Sequence, residues 1–266
     1  MKRFFNFGTF ILVALTLYSC NLFSAGGLSS QGQPIKKVES ELISTTANSA
    51  VNIDHSQWDK QLKKHVDKQG FVDYAGFKKD VVALDVYLKM LSKNTPSEAW
   101  SVQELLAYYI NLYNAGTVKL IVENYPVKSI KGISRPWGKD RISIGDKMIS
   151  LDGIEHGILR KMNEPRIHFA LNCASISCPK LLNEAYTASE INEQLERVTK
   201  EFINGVKNNI SASNPHISSL FDWYRKDFKV NGKTDVIAFI NRYSKVKINP
   251  NAKISYMKYD WNLNGK

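Results

Sequence analysis

Apolar residues recur every three or four positions in several segments of the chain. The clearest case is Trp58, Leu62 and Val66, which follow one another at a spacing of four. This spacing places side chains on one face of an α-helix, where they can pack against a core. The pattern predicts amphipathic helices over residues 54–67, 76–91, 191–202 and 236–243.

A longer and more apolar helix is predicted in the middle of the chain. Thr95-Pro96-Ser97-Glu98 is typical of a helix start, and Tyr125-Pro126 ends the pattern after Asn124. The segment is apolar on nearly all sides, which indicates a buried helix. Asn111 and Asn114 interrupt it one turn apart. Because buried amides have to be paired, they either hold a neighbouring loop or orient a catalytic histidine or a substrate.

Three other segments carry strand patterns. Residues 141–150 alternate around Gly145-Asp146, which predicts a hairpin. Ile167 to Leu171 is a short apolar run that suits a buried strand, and residues 254–263 alternate like a closing strand that brings this part of the chain into the fold. Together the patterns predict a helix-rich α+β single domain, packed around a small antiparallel sheet.

The first nineteen residues are predicted to be an export signal. Lys2 and Arg3 precede an apolar stretch that is too short to span a membrane. Leu17-Tyr18-Ser19-Cys20 resembles the bacterial lipobox, in which the cysteine is lipidated, although Tyr18 is bulky for that pattern. Ordinary cleavage near Ala25 is the alternative.

Residues 20–50 are rich in small polar side chains and are predicted to be a flexible tether, followed by a domain over residues 51–266. The net charge of +11 comes from 36 Lys and Arg against 25 Asp and Glu, spread along all 266 residues. Such a surface favours anionic lipid or a cell-envelope polymer, and an exported protein is a poor candidate for binding nucleic acid. The expected partners are therefore the membrane, through the lipid anchor, and an envelope peptide or polymer.

The residues suited to chemistry converge on residues 166–181. This stretch holds His168 with Cys173 and Cys178, which are the thiols beyond the leader. If residues 168–173 are extended, His168 and Cys173 lie on opposite faces and about 16 Å apart. Cys173 then needs a histidine from elsewhere, and His156, on the flank of a helix that starts at Asp152, is the candidate.

Two alternatives stay open from the residues alone. Glu155 either caps its own helix together with Asp152 or is a semi-buried acid that pairs with Arg160, Arg166 or a histidine. Cys173 and Cys178 either form a disulfide, if a turn brings their Cα atoms within about 7 Å, or stay as free thiols. No metal or cofactor motif is found in the sequence, so neither is predicted.

The chain resembles a known family in five motifs. The family is called domain of unknown function 547, and the resemblance runs from about residue 52 to the end of the sequence. The motifs are Tyr109-Ile-Asn-Leu-Tyr-Asn114, Leu151-Asp-Gly-Ile-Glu-His-Gly-Ile-Leu-Arg160, Arg166-Ile-His-Phe-Ala-Leu-Asn-Cys173, Ser177-Cys-Pro179 and Tyr259-Asp-Trp-Asn-Leu263.

The resemblance implies kinship with papain-like and transglutaminase-like thiol enzymes. His156 precedes Cys173, the reverse of the papain-like order, so such kinship requires a rearranged topology. The resemblance also implies that position 178 accepts serine, which makes a required disulfide less expected. The polar positions that it singles out are Asn111, Asn114, His156, Arg160, His168 and Cys173.

The leading hypothesis is an exported lipoprotein with a thiol-dependent hydrolase or acyl-transferase site for peptide or amide bonds of the cell envelope. Cys173 is its nucleophile, His156 the base that forms the thiolate, and Asn111 or Glu155 the group that orients His156. His168, Asn114 and Arg160 are expected to contact substrate. The rival hypothesis is a non-catalytic binding or scaffold lipoprotein with a buried structural cysteine.

Overall fold

The helix Val102–Asn124 is buried along most of its 23 residues in the computed structural model, which describes residues 31–39, 42–43 and 51–266. In chain order the α-helices of this described part are α1 (Ser56–His65), α2 (Tyr74–Lys79), α3 (Val81–Lys93), α4 (Val102–Asn124), α5 (Leu151–Glu155), α6 (Ile191–Ile203), α7 (Leu220–Trp223) and α8 (Val236–Tyr243).

Helix α4 is the centre of the core, as its apolar sequence predicts. It packs against α2, α3, α5 and α6. The helix was expected to start at Thr95, but it starts at Val102 with Ser101 as its cap. The Ser101 hydroxyl accepts a hydrogen bond from the Glu104 N–H at 3.1 Å. Ser101 has the same capping chemistry as Thr95 and lies directly before the apolar run.

The segment predicted as one helix over residues 76–91 is two helices, α2 and α3, which meet at Asp80. The carboxylate of Asp73 caps α2 by accepting from the Gly76 N–H at 2.8 Å. The helices predicted over residues 54–67, 191–202 and 236–243 are confirmed as α1, α6 and α8.

The strands form three small two-stranded sheets within the described residues. They are β1 (Ile142–Ile144), β2 (Lys147–Ile149), β3 (His216–Ser218), β4 (Lys229–Val230), β5 (Lys233–Thr234) and β6 (Ser255–Met257). Strands β1 and β2 pair antiparallel around Gly145, whose φ of +61° suits the tight turn, so the predicted hairpin is confirmed. Strands β4 and β5 are also antiparallel, whereas β3 and β6 are parallel. The helix-rich α+β prediction is confirmed, with separate ribbons in place of one sheet.

The strand predicted over Ile167–Leu171 is wrong, because Pro165–Phe169 is a 3-10 helix. Pro165 occupies the first turn, and the Glu164 carboxylate accepts from the Arg166 N–H at 3.1 Å. A run of four apolar residues around one histidine fits a buried strand and a buried helical turn equally well, and here the cap and the proline favour the helix.

The helix predicted from Asp152 is shorter than its apolar stripe suggests. Helix α5 ends at Glu155, and a 3-10 helix, Leu159–Met162, follows. The prediction that the apolar stripe faces the core is confirmed. All four of its residues are buried: Leu151, Ile154, Ile158 and Met162.

Part of the segment predicted as a tether contacts the domain. The Val38 N–H donates to the Met162 carbonyl at 2.8 Å, and the Tyr109 hydroxyl donates to the Pro34 carbonyl at 3.1 Å. Leu42 is buried in the core. Residues 31–39 and 42–43 therefore pack against the domain, and Leu42 reaches its core, before the start expected at residue 51.

The residues after β6 also lie inside the fold. Asn264 is buried and accepts a hydrogen bond from the Tyr74 hydroxyl at 2.8 Å. Leu263 pairs with Ser175 as an isolated antiparallel bridge. The closing segment is thus a short strand followed by an extended stretch, which passes along the loop that carries Cys173.

Candidate functional site

One cavity of about 220 Å³ brings together four of the side chains singled out from the sequence. They are Cys173, His156, Glu155 and His168. Asn111, Asn114 and Arg160 are not part of its wall. The remaining lining residues are Tyr113, Trp137, Asp152, Leu171, Cys178, Pro179, Leu220, Trp223, Tyr224, Tyr259 and Trp261.

Cys173 and Cys178 form a disulfide in the wall of this cavity. Ala174 adopts a left-handed φ of 57°, and the turn brings the two Cα atoms to 6.1 Å. The Asn172 amide fixes the loop, since it accepts from the Ala174 N–H at 3.0 Å and donates to the Pro179 carbonyl at 2.7 Å. Of the two alternatives left open by the sequence, the disulfide describes this pair, although the resemblance made a required bridge less expected.

Two hydroxyl groups lie beside the sulfur of Cys173. Ser175 Oγ is 3.3 Å and Tyr259 Oη is 3.4 Å from Cys173 Sγ. Burial raises the pKa of Tyr259 to about 12, although its hydrogen bond with Ser175 acts in the opposite direction. The phenol therefore keeps its proton near neutral pH and can donate a hydrogen bond to a sulfur atom that carries charge.

His156 lies at the end of α5, with a side chain that is 45% exposed. Its Nδ1 is 3.1 Å from Arg160 Nη1, and its Nε2 is 3.8 Å from Asp152 Oδ1. A guanidinium only donates, so Nδ1 accepts and the proton of the neutral ring is on Nε2.

His168 has the opposite kind of partner. Its Nε2 lies 2.8 Å from Asp227 Oδ2, and its ring stacks on Tyr224 with a centroid distance of 3.9 Å. The argument that separated His168 from Cys173 assumed an extended chain, and it fails because residues 165–169 are helical. Both side chains line the same cavity.

Arg160 joins the two histidines through Asp227. Its Nε and Nη2 donate to the two oxygens of the Asp227 carboxylate at 2.6 and 2.9 Å. Burial alone would raise the pKa of Asp227, but the hydrogen bonds from His168 and Arg160 lower it well below its usual range. The result is a polar chain that runs from His156 through Arg160 and Asp227 to His168.

Glu155 is buried in the cavity wall and does not cap its helix. The cap of α5 is Ser150, whose Oγ accepts from the Gly153 N–H at 3.0 Å. The phenols of Tyr113 and Tyr224 face the Glu155 carboxylate. Burial and this negative charge raise the pKa of both phenols well above the usual value. The semi-buried acid is thus the correct alternative, with phenols as its partners in place of Arg160, Arg166 or a histidine.

Asn111 does not orient His156, because its side chain holds a backbone segment elsewhere. Its Nδ2 donates to the Tyr186 carbonyl at 2.7 Å, and its Oδ1 accepts from the Tyr186 N–H at 3.1 Å. Asn114 acts similarly on the loop that leads to Cys173, since its side chain bonds the Ala170 carbonyl and the Asn172 N–H at 3.0 and 2.9 Å. The loop-holding alternative describes both amides.

Sequence reasoning did not find Asp227, Tyr224, Ser175 or Trp223. The aromatic residues of the segment 220–224 suit packing and form no motif, and Asp227 lies in a short 3-10 helix with no motif of its own. Tyr259 was visible only as part of a family motif. Nothing local in these segments signals that they meet His168 and Cys173.

Within residues 31–39, 42–43 and 51–266, no group of three or more His, Cys, Asp or Glu side chains is arranged to hold a metal ion. No helix in that same part of the chain has both the length and the apolar character to cross a membrane. Cys20 and the predicted leader lie outside the described residues.

The loop, the histidines and the cavity wall fall largely within one family match. Residues 97–203 match the family described as Protein of unknown function, DUF547. This match supports the resemblance over a shorter range than the sequence motifs suggest, and it includes Cys173, His156, Glu155 and His168. No curated protein and no solved structure matches the chain. The kinship with papain-like and transglutaminase-like enzymes stays a prediction.

Proposed function

We propose that the protein is a thiol-dependent hydrolase or acyl transferase for peptide or amide bonds of the cell envelope, with Cys173 as its nucleophile. The observation that supports this most is that Cys173 shares one cavity with two histidines and a buried carboxylate. Thiol catalysis needs a thiolate, a group that moves protons and donors for developing charge. The cavity contains candidates for each role.

The disulfide is the latent form in this proposal. A dithiol reductant opens the bond between Cys173 and Cys178 and releases the nucleophile. The Tyr259 hydroxyl, 3.4 Å from Sγ, then donates to the thiolate of Cys173, and the Ser175 hydroxyl donates to the Tyr259 oxygen and strengthens that bond. The Cys173 N–H lies 2.9 Å from Cys178 Sγ and stabilises charge on the second sulfur.

The two histidines have different hydrogen-bond partners, and we assign them different roles on that basis. His168 donates to the Asp227 carboxylate, the kind of partner that stabilises an imidazolium, so it is the proposed base. His156 has its proton on Nε2, because Arg160 occupies Nδ1, and it is the proposed hydrogen-bond donor to the substrate. This exchanges the roles expected from the sequence.

The reaction then follows from these positions. The thiolate of Cys173 attacks the carbonyl carbon of the amide, and the leaving amine takes a proton from an imidazolium. The resulting thioester reacts with water in a hydrolase or with a second amine in a transferase. Arg160 and Asn114 act as positioning residues, since neither lines the cavity.

Two single variants test the nucleophile without added reductant. Cys178→Ser leaves Cys173 as a free thiol, and Cys173→Ser leaves Cys178 in the same wall. We expect an activated ester to acylate the first variant rapidly under native conditions, as measured by intact mass, and to leave the matched second variant unmodified. Similar slow acylation of both variants, at the rate of the unfolded chain, would contradict the proposal.

The histidine assignment is tested in the Cys178→Ser background. His168→Ala should slow acylation by roughly 10²-fold or more, the usual contribution of a positioned base. His156→Ala should reduce the rate less for an activated ester, whose leaving group needs no proton. A larger loss of acylation rate in His156→Ala than in His168→Ala would identify His156 as the base.

One observation favours the second candidate, a non-catalytic binding or scaffold protein. The disulfide occupies the sulfur of Cys173, and Cys178 is only 3% exposed. A structural bridge of this kind would need no reduction. The two candidates differ in the labelling of Cys178→Ser by iodoacetamide, which is rapid in the native protein for an enzyme and requires denaturant for a scaffold.

Export and membrane anchoring through Cys20 belong to the same proposal. They are supported by the charged start, the apolar stretch and the Leu-Tyr-Ser-Cys sequence. A lipid-anchored protein with a net charge of +11 would lie close to anionic envelope polymers, where amide bonds are available to Cys173.

A further inference from the structure

The mouth of the cavity is built from aromatic side chains of distant segments. Tyr259 and Trp261 pack with a ring-centroid distance of 4.5 Å, and Trp261 lies 5.7 Å from Trp137 and 5.8 Å from Trp223. The Trp223 side chain is left substantially exposed, at 48%. We call these four residues the aromatic rim.

The wall beside the rim is acidic in a protein that is basic as a whole. Asp152 and Glu155 both line the cavity, and among the described residues no lysine or arginine does. The Asp152 side chain is 49% exposed, and the only ion-pair partner found for it in the described residues is His156, at 3.8 Å. Burial and the neighbouring charge of Glu155 raise the pKa of Asp152, although His156 acts in the opposite direction. A cation bound in the cavity would stabilise the charged form of the Asp152 carboxylate.

The nearby cations of the protein lie outside the cavity wall. Arg160 is engaged with Asp227, and Lys207 donates to the Cys178 carbonyl. Lys131 places its Nζ 5.2 Å from the ring centroid of Trp261. The aromatic rim therefore already accepts an ammonium group on its outer side, at a distance suited to cation–π attraction.

We propose that the cavity selects amide substrates that carry a primary ammonium group. The ammonium binds between the aromatic rim and the Asp152 carboxylate, and its alkyl chain packs on Trp223. Three N–H donors let a primary ammonium bond the carboxylate directly, which a quaternary one cannot do. The inference rests on the proposed function in one respect, which is that the amide lies beside Cys173.

The test measures binding to the oxidised protein, so it needs no thiol chemistry. The probes are Nα-acetyl-lysine methylamide, its Nε-acetylated derivative, in which a neutral third amide replaces the charge, and n-pentylamine, which has one ammonium group and no amide. We expect calorimetry at low salt to show the charged lysine probe binding about tenfold or more tightly than the acetylated one. n-Pentylamine should bind several-fold more weakly than the charged lysine probe because it lacks the amides.

The variants assign the effect to residues. Asp152→Asn should remove the preference for charge, and Trp223→Ala should weaken both lysine probes. Asp222→Asn is the matched control, because this exposed carboxylate precedes Trp223 on α7 and does not line the cavity. Equal affinity of the parent for the two lysine probes, or a preference that survives in Asp152→Asn, would overturn the inference.

Two further outcomes are informative. n-Pentylamine binding as tightly as the charged lysine probe would overturn the assignment to an amide substrate. A charge preference that depends on Asp152, combined with a Cys178→Ser protein that an activated ester cannot acylate, would keep the ligand class and reject the thiol mechanism. The two failures are therefore distinguishable.

Discussion

His168 and Asp227 lie 59 positions apart in the sequence and share a 2.8 Å hydrogen bond between Nε2 and Oδ2. Arg160 binds the same carboxylate through two nitrogens. Asp227 is thus a shared acceptor for two donors, Arg160 and His168, that lie about sixty positions before it in the sequence. Removal of the Asp227 carboxylate should therefore lower the stability of the fold and change the orientation of the His168 ring.

Asp227→Asn should lower the free energy of unfolding at pH 7 by about 1–3 kcal/mol, the range for hydrogen bonds to charged groups. The pKa of Asp227 is lowered in the folded protein, so its stabilising effect is present above the unfolded pKa of about 3.9 and is lost as the pH falls further. Urea unfolding from neutral to acid pH should show the parent and the variant converging below about pH 4. Exposed Asp222→Asn serves as control, and a constant difference at all pH values would contradict the assignment.

Asn111→Ala should destabilise the protein by about 2–4 kcal/mol, because it leaves the buried N–H and carbonyl of Tyr186 without partners. Asn124→Ala is the matched control, since its amide bonds only a carbonyl of its own helix near the surface. Chemical denaturation gives the free energies. In the Cys178→Ser background, acylation of Cys173 should keep the parental rate, and a large loss of rate would restore a catalytic role to Asn111.

His55 should make the protein sensitive to mild acid. Burial lowers the pKa of His55 to about 4, although the charge of Asp54 acts in the opposite direction. The unfolded histidine titrates near about 6.5, so the unfolded chain binds a proton between about pH 6.5 and 4 that the folded protein does not. The free energy of unfolding should therefore fall as the pH drops through this window.

The substitution His55→Gln tests this cause while keeping a polar group near the Tyr87 hydroxyl, which lies 2.7 Å from His55 Nδ1. Its unfolding free energy should depend less on pH across the window. His216→Gln, at an exposed histidine, should behave like the parent. Identical pH profiles for the parent and His55→Gln would refute the prediction.

Cys20→Ala should move the protein from the membrane to the soluble fraction after cell fractionation. One acyl chain binds a membrane marginally, whereas the several chains of a lipidated cysteine hold a protein at the surface. Ser24→Ala, four residues further on, is the control. Normal export with unchanged membrane partition in Cys20→Ala would reject the anchor.

The spacing of apolar residues predicted the helices well, because each turn of a helix that packs on the core places an apolar side chain on the same face. Trp58 and Leu62 on α1 and the four-residue stripe from Leu151 point to the core as expected, even where α5 gives way to a 3-10 turn. The error at residues 167–171 arose because so short an apolar run shows no clear period. The cap at Glu164 and the proline at position 165 then favour the helical turn.

The candidate site was predictable only where its residues are close in the sequence. Cys173, His168, His156 and Glu155 fall in two neighbouring motifs, and all four reach the cavity. Tyr259 contacts Cys173 across 86 positions, and Asp227 contacts His168 across 59. Such partners are set by how segments pack together, which a single sequence does not state. The tautomer of His156 is set by a near neighbour, Arg160, whereas the carboxylate partner of His168 comes from one of these distant contacts.

The wall formed by Tyr259 and Trp261 has a consequence for the order in which the chain is made. Synthesis delivers Cys173 and Cys178 some eighty residues before these aromatic side chains. The two sulfurs are only five positions apart, so they can meet in the nascent polypeptide while their flank is still open. Oxidation of this pair is therefore easiest before folding is complete, and the arrival of Tyr259, whose hydroxyl lies 3.4 Å from Cys173 Sγ, then covers one side of the bond.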